Sequence, residues 1–442
     1  MGRGKFYYGW IIVGVGLVSM AFWFGIRSSF SVFYVALLEE YPWSRAESAG
    51  VQSVALMVYT VLAPLVGGLI DRFGPRRIIL PGIGILFAGL MMCASMRTLS
   101  QFYVYYGVVV GTGVTAIGIV SYSAILAHWF ERKRGLASGI AVSGMGLGTF
   151  LLVPLSQYVI SSYGWRMTFM IIGGLAVMIL FPLNGFFLKH KPRELGLWPD
   201  GWKGPDPTKT GGAETPDVPE AQWTLKKAMH TGPFWALVAF PLLAVIGVYV
   251  VLVHNVKFAV DNGIDKMTAA SIFALAGAVS SVFRIFWGWL SDRIGREVTY
   301  TMGMICICAG VLFLLMLERP GGEVFLYPFF FFFGMGWGVT APMFMATAAD
   351  LFKGGTFGLI YGIVEGAIGM GAALGTWAAG AIFDRTGSYA WAFGLAMAAF
   401  LLSCLCMWVA APRRLHPRSN DLRAYPRKRK TTKSPFSNGG RG

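Results

Sequence analysis

The stretch GGLIDRFGPRR, residues 67–77, comes back as GWLSDRIGRE at residues 288–297, with Asp71 and Asp292 separated by 221 positions. Each copy sits between two long apolar runs. A polar signature duplicated at matching places implies that the chain is built as two pseudo-equivalent halves.

Working outward from these two copies, the apolar runs number twelve: 9–38, 46–70, 78–95, 102–127, 135–160, 165–188, 233–260, 267–290, 298–317, 324–349, 357–383 and 389–411. The 442 residues are 55% hydrophobic and only 13% charged, about half the charge usual in soluble domains. Runs of this length therefore predict an all-α polytopic membrane protein. The runs are continuous and lack the alternation of barrel strands, so helices are expected. The first run is too long for a cleaved signal core and is expected to remain as a span.

One long polar interruption, 189–232, divides the spans six and six, and its segment PDGWKGPDPTKTGGAETPDVPEAQ is rich in Pro, Gly and charge, as linkers are. The expected organisation is a six-helix bundle over 1–188, a linker over 189–232, a second bundle over 233–411 and a basic tail over 412–442. WTLKKAMHTGPFW reads as a short amphipathic helix at the membrane surface, with Pro233 opening the seventh span. With the N-terminus inside, the inner short segments hold eleven Lys and Arg and the outer loops six, which places both termini in the cytoplasm of a cell whose inner or plasma membrane holds the chain.

The net charge of +16 resembles a nucleic-acid signature until it is located: ten of the 37 basic residues lie in the last thirty positions, after the final span. That tail suits an anionic cytoplasmic leaflet, and no nucleic-acid partner is expected. Cys93, Cys306, Cys308, Cys404 and Cys406 all lie inside apolar runs without metal spacing, so packing roles and no metal are expected. No nucleophile, metal cluster or phosphate loop suggests an enzyme.

Several ionisable or polar residues fall inside the spans. Arg284 lies eight positions before Asp292, about 12 Å inside the boundary of a helix. A guanidinium there costs about 2.5–3.5 kcal/mol on insertion scales, so it either serves a ligand or snorkels and pairs for packing. Arg27 falls in the outer half of the first span, as a pathway residue or an outward-snorkelling one. Glu365 lies in the eleventh span as a proton site or the partner of a base. His254 and Asp261 share a helical face at the outer end of the seventh span beside Lys257, as titrating groups or an interfacial belt. Tyr122 and Tyr361 are candidate hydroxyl donors, although membrane tyrosines more often pack. Gly358, Gly362 and Gly366, and Gly135 with Gly139, form small ridges that let helices approach closely.

The string carried by Gly67, Leu69, Asp71, Arg72, Gly74, Arg76 and Arg77 resembles the loop signature of the major facilitator superfamily, and its second copy strengthens the likeness. Phe6–Trp10, the signature Trp129–Gly139 and the stretch Ile382–Tyr389 resemble the monocarboxylate transporters and their oxalate/formate exchanger relatives, in a bacterial-type member. The acid expected before the first of these is absent, since Gly4 and Lys5 stand there. The resemblance implies twelve helices in two pseudo-symmetric six-helix bundles. It also implies alternating access, with a small carboxylate held between the bundles by Arg284 and helped by Tyr122, His254, Arg27 and Tyr361.

Asp71, Arg72, Arg76, Asp292, Arg293 and Arg296 would form the conformational-switch loops. Where mammalian members pair the arginine with an aspartate one turn earlier, this chain has Ser280. Where oxalate exchangers have a base in the eleventh span, it has Glu365, which argues against a dianion. Proton-coupled symport of a lactate- or pyruvate-like anion is the expectation, with Asp261 or Glu365 carrying the proton, the proton gradient as energy source, no cofactor and one chain as the functional unit. Organic-anion exchange, and a carboxylate sensor built on a transporter frame, are the alternatives.

Overall fold

The computed structural model describes residues 7–43, 45–201 and 223–410. Ten helices are long and apolar enough to cross a membrane, and one of these, Arg134–Phe187, is two crossings that turn at Gly164. Gly164 has φ 80°, a backbone region that a side chain would strain. With Lys266–Ile294, which carries Arg284, the crossings number twelve.

We label them α1 (Gly9–Glu40), α2 (Arg45–Phe73), α3 (Pro75–Ala94), α4 (Leu99–Trp129), α5 (134–163), α6 (165–187), α7 (Gly232–Asp261), α8 (Lys266–Ile294), α9 (Arg296–Leu315), α10 (Gly322–Phe352), α11 (Phe357–Thr386) and α12 (Ala390–Ala410). Thr98 opens α4 with a capping box, its hydroxyl accepting from the Gln101 N–H while the Gln101 side chain takes the Thr98 N–H. Halfway along, α4 breaks at Gly118, where any Cβ would strike the Trp23 indole of α1. Prolines inside α2, α3, α5 and α7 (Pro64, Pro81, Pro154 and Pro241) are tolerated because neighbouring helices and side chains can satisfy the freed backbone groups.

The helices form two six-helix bundles, α1–α6 and α7–α12. Helices α3, α9 and α12 turn apolar rows outward, with Leu401, Leu405 and Trp408 exposed, as a lipid-facing surface requires. The bundles meet along two seams, α2 against α11 and α5 against α8. Both seams are lined by the small ridges seen in the sequence. A Cβ on Gly67 would run into the Gly358 carbonyl, one on Gly362 into the Ala63 carbonyl, and one on Gly139 into the Arg284 carbonyl. Backbone thus lies directly on backbone, which only small residues permit.

The linker leaves α6 through two short turns, 192–195 and 199–201, and its far end returns as the short helix Leu225–Met229 capped by Thr224. That return is docked: Thr356 Oγ1 donates to the Trp223 carbonyl and Trp223 lies edge-on to Phe352. The basic tail, 412–442, and the central stretch of the linker lie outside the described residues.

Placing a side chain in a seam tests its function. Gly67→Val should keep the chain folded in detergent yet oppose contact of α2 with α11 by about 1–3 kcal/mol, roughly fivefold to 150-fold in population. Increased labelling of the linker face by a membrane-impermeant thiol reagent, at a cysteine placed there, checks this.

Candidate functional site

Two layers of polar residues cross between the bundles. The first lies at the face that carries the linker. Asp71, at the end of α2, accepts from the backbone N–H groups of Gly358 (2.8 Å) and Leu359 (2.9 Å), the first turn of α11. Asp292, at the end of α8, accepts in the same way from Gly135 (2.8 Å) and Leu136 (2.9 Å), the first turn of α5. Each half therefore caps a helix of the other. Carboxylates suit this place because a helix start presents unpaired donors and partial positive charge.

Beside the second of these caps lies a largely buried ion network. Asp350 of α10 takes Arg134 of α5 and Arg296 of α9, with 2.9 Å to Arg296 Nε, and Arg296 also reaches Asp292 at 2.6 Å. At the rim, Lys353 Nζ donates to Glu131 Oε1 at 2.6 Å, again across the bundles. Burial raises the Glu131 carboxyl, but the Lys353 ammonium together with the Arg134 and Arg132 charges outweighs it and holds the group below the ordinary glutamate range.

The switch-loop candidates therefore divide. Asp71, Asp292 and Arg296 make the contacts just described. Arg72 lies exposed over the Phe73 ring at 5.1 Å, Arg293 exposed over Trp289 at 4.0 Å, and Arg76 is exposed. Glu131, Arg134, Asp350 and Lys353 join the cluster without having been singled out. The signal available for the first two was their place in the Trp129–Gly139 signature. Asp350 and Lys353 carry no motif.

The second layer lies deeper. Arg284 is 5% exposed; its Nη1 donates to the Val142 carbonyl of α5 at 2.9 Å and its guanidinium carbon lies 5.7 Å from the Trp337 ring. Its Nε is buried without a hydrogen-bond partner, as is the Ser280 hydroxyl one turn earlier. Among the described residues, no carboxylate forms an ion pair with Arg284. Along the other seam, Tyr59 of α2 donates to Glu365 Oε2 of α11 at 2.9 Å, and Tyr361 lies one turn before Glu365 on α11.

Arg27 stands over the Trp23 and Tyr59 rings at 5.0 and 5.1 Å and lines a cavity of about 20 Å³ with Gln52, Tyr59 and Tyr106. That volume suits about one water. Arg27 therefore points into the interior, not outward to solvent.

The remaining candidates are engaged elsewhere. The Tyr122 hydroxyl lies in the core of the first bundle, 2.6 Å from Ser19 Oγ and 2.5 Å from Asn184 Oδ1. His254 contacts the Tyr389 hydroxyl and the Thr376 carbonyl, both at 3.3 Å, within the second bundle. Asp261 is ion-paired with the exposed Lys257 one turn away. The structure thus brings together Arg27, Tyr59, Tyr361 and Glu365, sets Arg284 in the opposite seam, and leaves Tyr122, His254 and Asp261 apart from both. Tyr59 had no distinguishing pattern in the sequence; only the packing of α2 on α11 singles it out. Among the described residues no group of three or more His, Cys, Asp and Glu is placed to hold a metal.

Two bundles that cap one another at the linker face enclose these polar layers, and residues 11–360 and 338–439 match the family model of the Major Facilitator Superfamily. The chain belongs to that superfamily, as a secondary active transporter and not an enzyme. Monocarboxylate transporter 13 of Bos taurus is 29% identical over 401 residues, covering 90% of this chain and 87% of that protein. Monocarboxylate transporter 2 of Homo sapiens is 25% identical over 420 residues, covering 91% and 84%. Among solved structures, a proton:xylose symporter superposes with a TM-score of 0.71 at 16% identity, covering 92% of this chain and 99% of that one. The E. coli fucose:proton symporter gives 0.68 at 12%, covering 92% and 100%. At such identities the two solved structures share the fold alone.

Because the Glu131 carboxyl is depressed, its bridge to Lys353 is present above the ordinary glutamate value and is lost as pH falls through the lower one. The part of linker-face access that depends on this bridge should therefore appear only as pH falls beneath the ordinary glutamate value. Glu131→Gln should remove that step, as thiol labelling against pH will show. Asp350→Ala, which leaves Arg134 and Arg296 without their shared carboxylate, should cost about 3–5 kcal/mol, read as a lower melting temperature.

Proposed function

We propose that this chain is a proton-coupled carrier of small monocarboxylates of the lactate or pyruvate kind, working by alternating access between its two bundles. The observation that carries this is Arg284: a buried guanidinium with an unpartnered Nε and no carboxylate paired to it among the described residues. A buried cation is costly unless paired, and an arginine fork matches a carboxylate with two parallel bonds. The substrate's carboxylate would supply the missing charge, taking Nη1 from the Val142 carbonyl and so loosening the α5–α8 seam. The names of the two mammalian relatives agree with a monocarboxylate substrate.

Proton coupling has an electrical rationale. Carrying one anion into an inside-negative cell costs about 2.3 kcal/mol per 100 mV, and a proton travelling with it cancels that term. Glu365 is the better placed of the two proton candidates, since it lies between bundles under Tyr59, whereas Asp261 is ion-paired at the periphery. Arg27 and Tyr361 would line the route, while Tyr122 and His254 would brace its walls from within their own bundles. In this reading residues 1–188 and 233–411 are the rocking bundles of a single-chain unit, 189–232 the linker and 412–442 a lipid-binding tail. The same reading makes the linker face, where the cross-bundle contacts lie, the cytoplasmic face in its closed state.

Uptake of labelled lactate, pyruvate, acetate, formate and oxalate into proteoliposomes, with and without an inward proton gradient, tests the reading. Arg284→Ala should abolish uptake, at least about a hundredfold as expected when a charge-assisted pair worth about 3 kcal/mol is lost; retained transport sinks the assignment. Glu365→Gln should lose gradient-driven accumulation and keep counterflow. Counterflow that ignores pH in the unmodified protein would instead identify an anion exchanger.

A further inference from the structure

The linker begins with a turn whose geometry serves no purpose in the carrier described so far. Asp200 has φ 57° and ψ 11°, the one non-glycine residue at positive φ among those described, and Gly201 follows at φ 71°. This left-handed turn aims the Asp200 carboxylate at the loop that opens α5. Oδ2 accepts from the backbone N–H groups of Glu131 (2.9 Å) and Arg132 (2.7 Å), and Oδ1 accepts from Lys133 (3.3 Å). Three successive N–H groups converging on one carboxylate form an anion nest.

The next donors along the same chain, Gly135 and Leu136, are those taken by Asp292 of the opposite bundle. The start of α5 is thus held by two carboxylates, one from each side of the seam. The segment carrying Asp200 is itself seated on the first bundle. Trp129 Nε1 donates to the Lys189 carbonyl, the Tyr7 hydroxyl donates to the Trp129 carbonyl, and the Tyr7 ring lies against Gly201. Burial, reinforced by the Asp200 carboxylate, raises the Tyr7 phenol. When the bundles part, Asp292 must leave α5, whereas Asp200 travels with it.

We propose that Asp200 is a positioning residue of the linker-face gate: it holds the Glu131–Lys133 loop in the shape that lets Glu131 reach Lys353 and presents the start of α5 to Asp292. The proposal rests on the cross-bundle contacts being the closed state of that face. Its consequence is that the linker sets how long the face stays closed, although Asp200 makes no described contact with the second bundle.

Hydrogen–deuterium exchange of the full chain in nanodiscs, without substrate, reads this directly, because amide exchange follows the population of the open state. The amides of Gly358 and Leu359 are the informative ones: they are held by Asp71 on the other seam and are not touched by Asp200. Asp200→Ala should speed exchange at 131–136 and also at 358–359, the latter by about threefold to tenfold, the size expected for loss of a capping group. Exchange within α12 should stay unchanged as a control for global loosening.

In a Glu131→Gln background the same substitution should add little at 358–359. Faster exchange confined to 131–133, or a full further gain in the Glu131→Gln background, overturns the proposal. If Asp200→Ala does not fold, Asp200→Asn carries the test, with a smaller gain expected because one acceptor oxygen remains. No substrate is present, so the outcome stands apart from whether the carried solute is a carboxylate.

Discussion

A carboxylate of one bundle seated on the first turn of a helix in the other is the contact on which the arrangement depends. It occurs twice, Asp71 on α11 and Asp292 on α5. Each cap answers two needs at once, since a helix start has N–H groups with no intrahelical partner and a buried carboxylate has no water. The caps are formed only if backbone approaches backbone, which explains the glycines where α2 meets α11 and α5 meets α8. Parting the bundles strips both the acid and the donors, so intermediate separations are unfavourable until water enters. In the alternating-access reading this favours two discrete states.

The midplane groups lie on the same rods. Arg284 is on α8, which ends in Asp292; Val142 is on α5, which Asp292 caps. Tyr59 is on α2, which ends in Asp71; Glu365 is on α11, which Asp71 caps. In the proposed carrier, each midplane pair would thus reach a cap on the linker face along the helix that carries both.

Much of the fold was legible in the chain. Twelve apolar runs, the six-and-six division and the repeated loop signature are local properties, and the helices begin and end within a few residues of the expected places, at Thr98, Gly164, Gly295 and Gly387 among others. The glycine ridges were legible too, as close-approach surfaces, though not which helix they approach. The site was less legible. Arg284 and Glu365 stood out because a charge inside an apolar run is costly wherever it packs. Tyr59, Asp350 and Lys353 did not, since a tyrosine in a span or a charge at a helix end is ordinary by itself. Asp200 was hidden for the same reason: it lay in a stretch whose composition reads as linker.

By itself, then, the sequence determined what one helix can say about itself: that it spans, where it stops, and which of its side chains cannot be left alone in hydrocarbon. Only the tertiary structure decided their company. It gave Arg284 a backbone carbonyl in place of an acid, gave Glu365 a tyrosine from the opposite bundle, drew Tyr122 into the core of the first bundle and turned the half-buried His254 to Tyr389 and Thr376 within the second. The physical reason is that insertion cost depends on a residue and its depth, whereas pairing depends on which seams close, and the seams are set by backbone contacts between segments hundreds of residues apart.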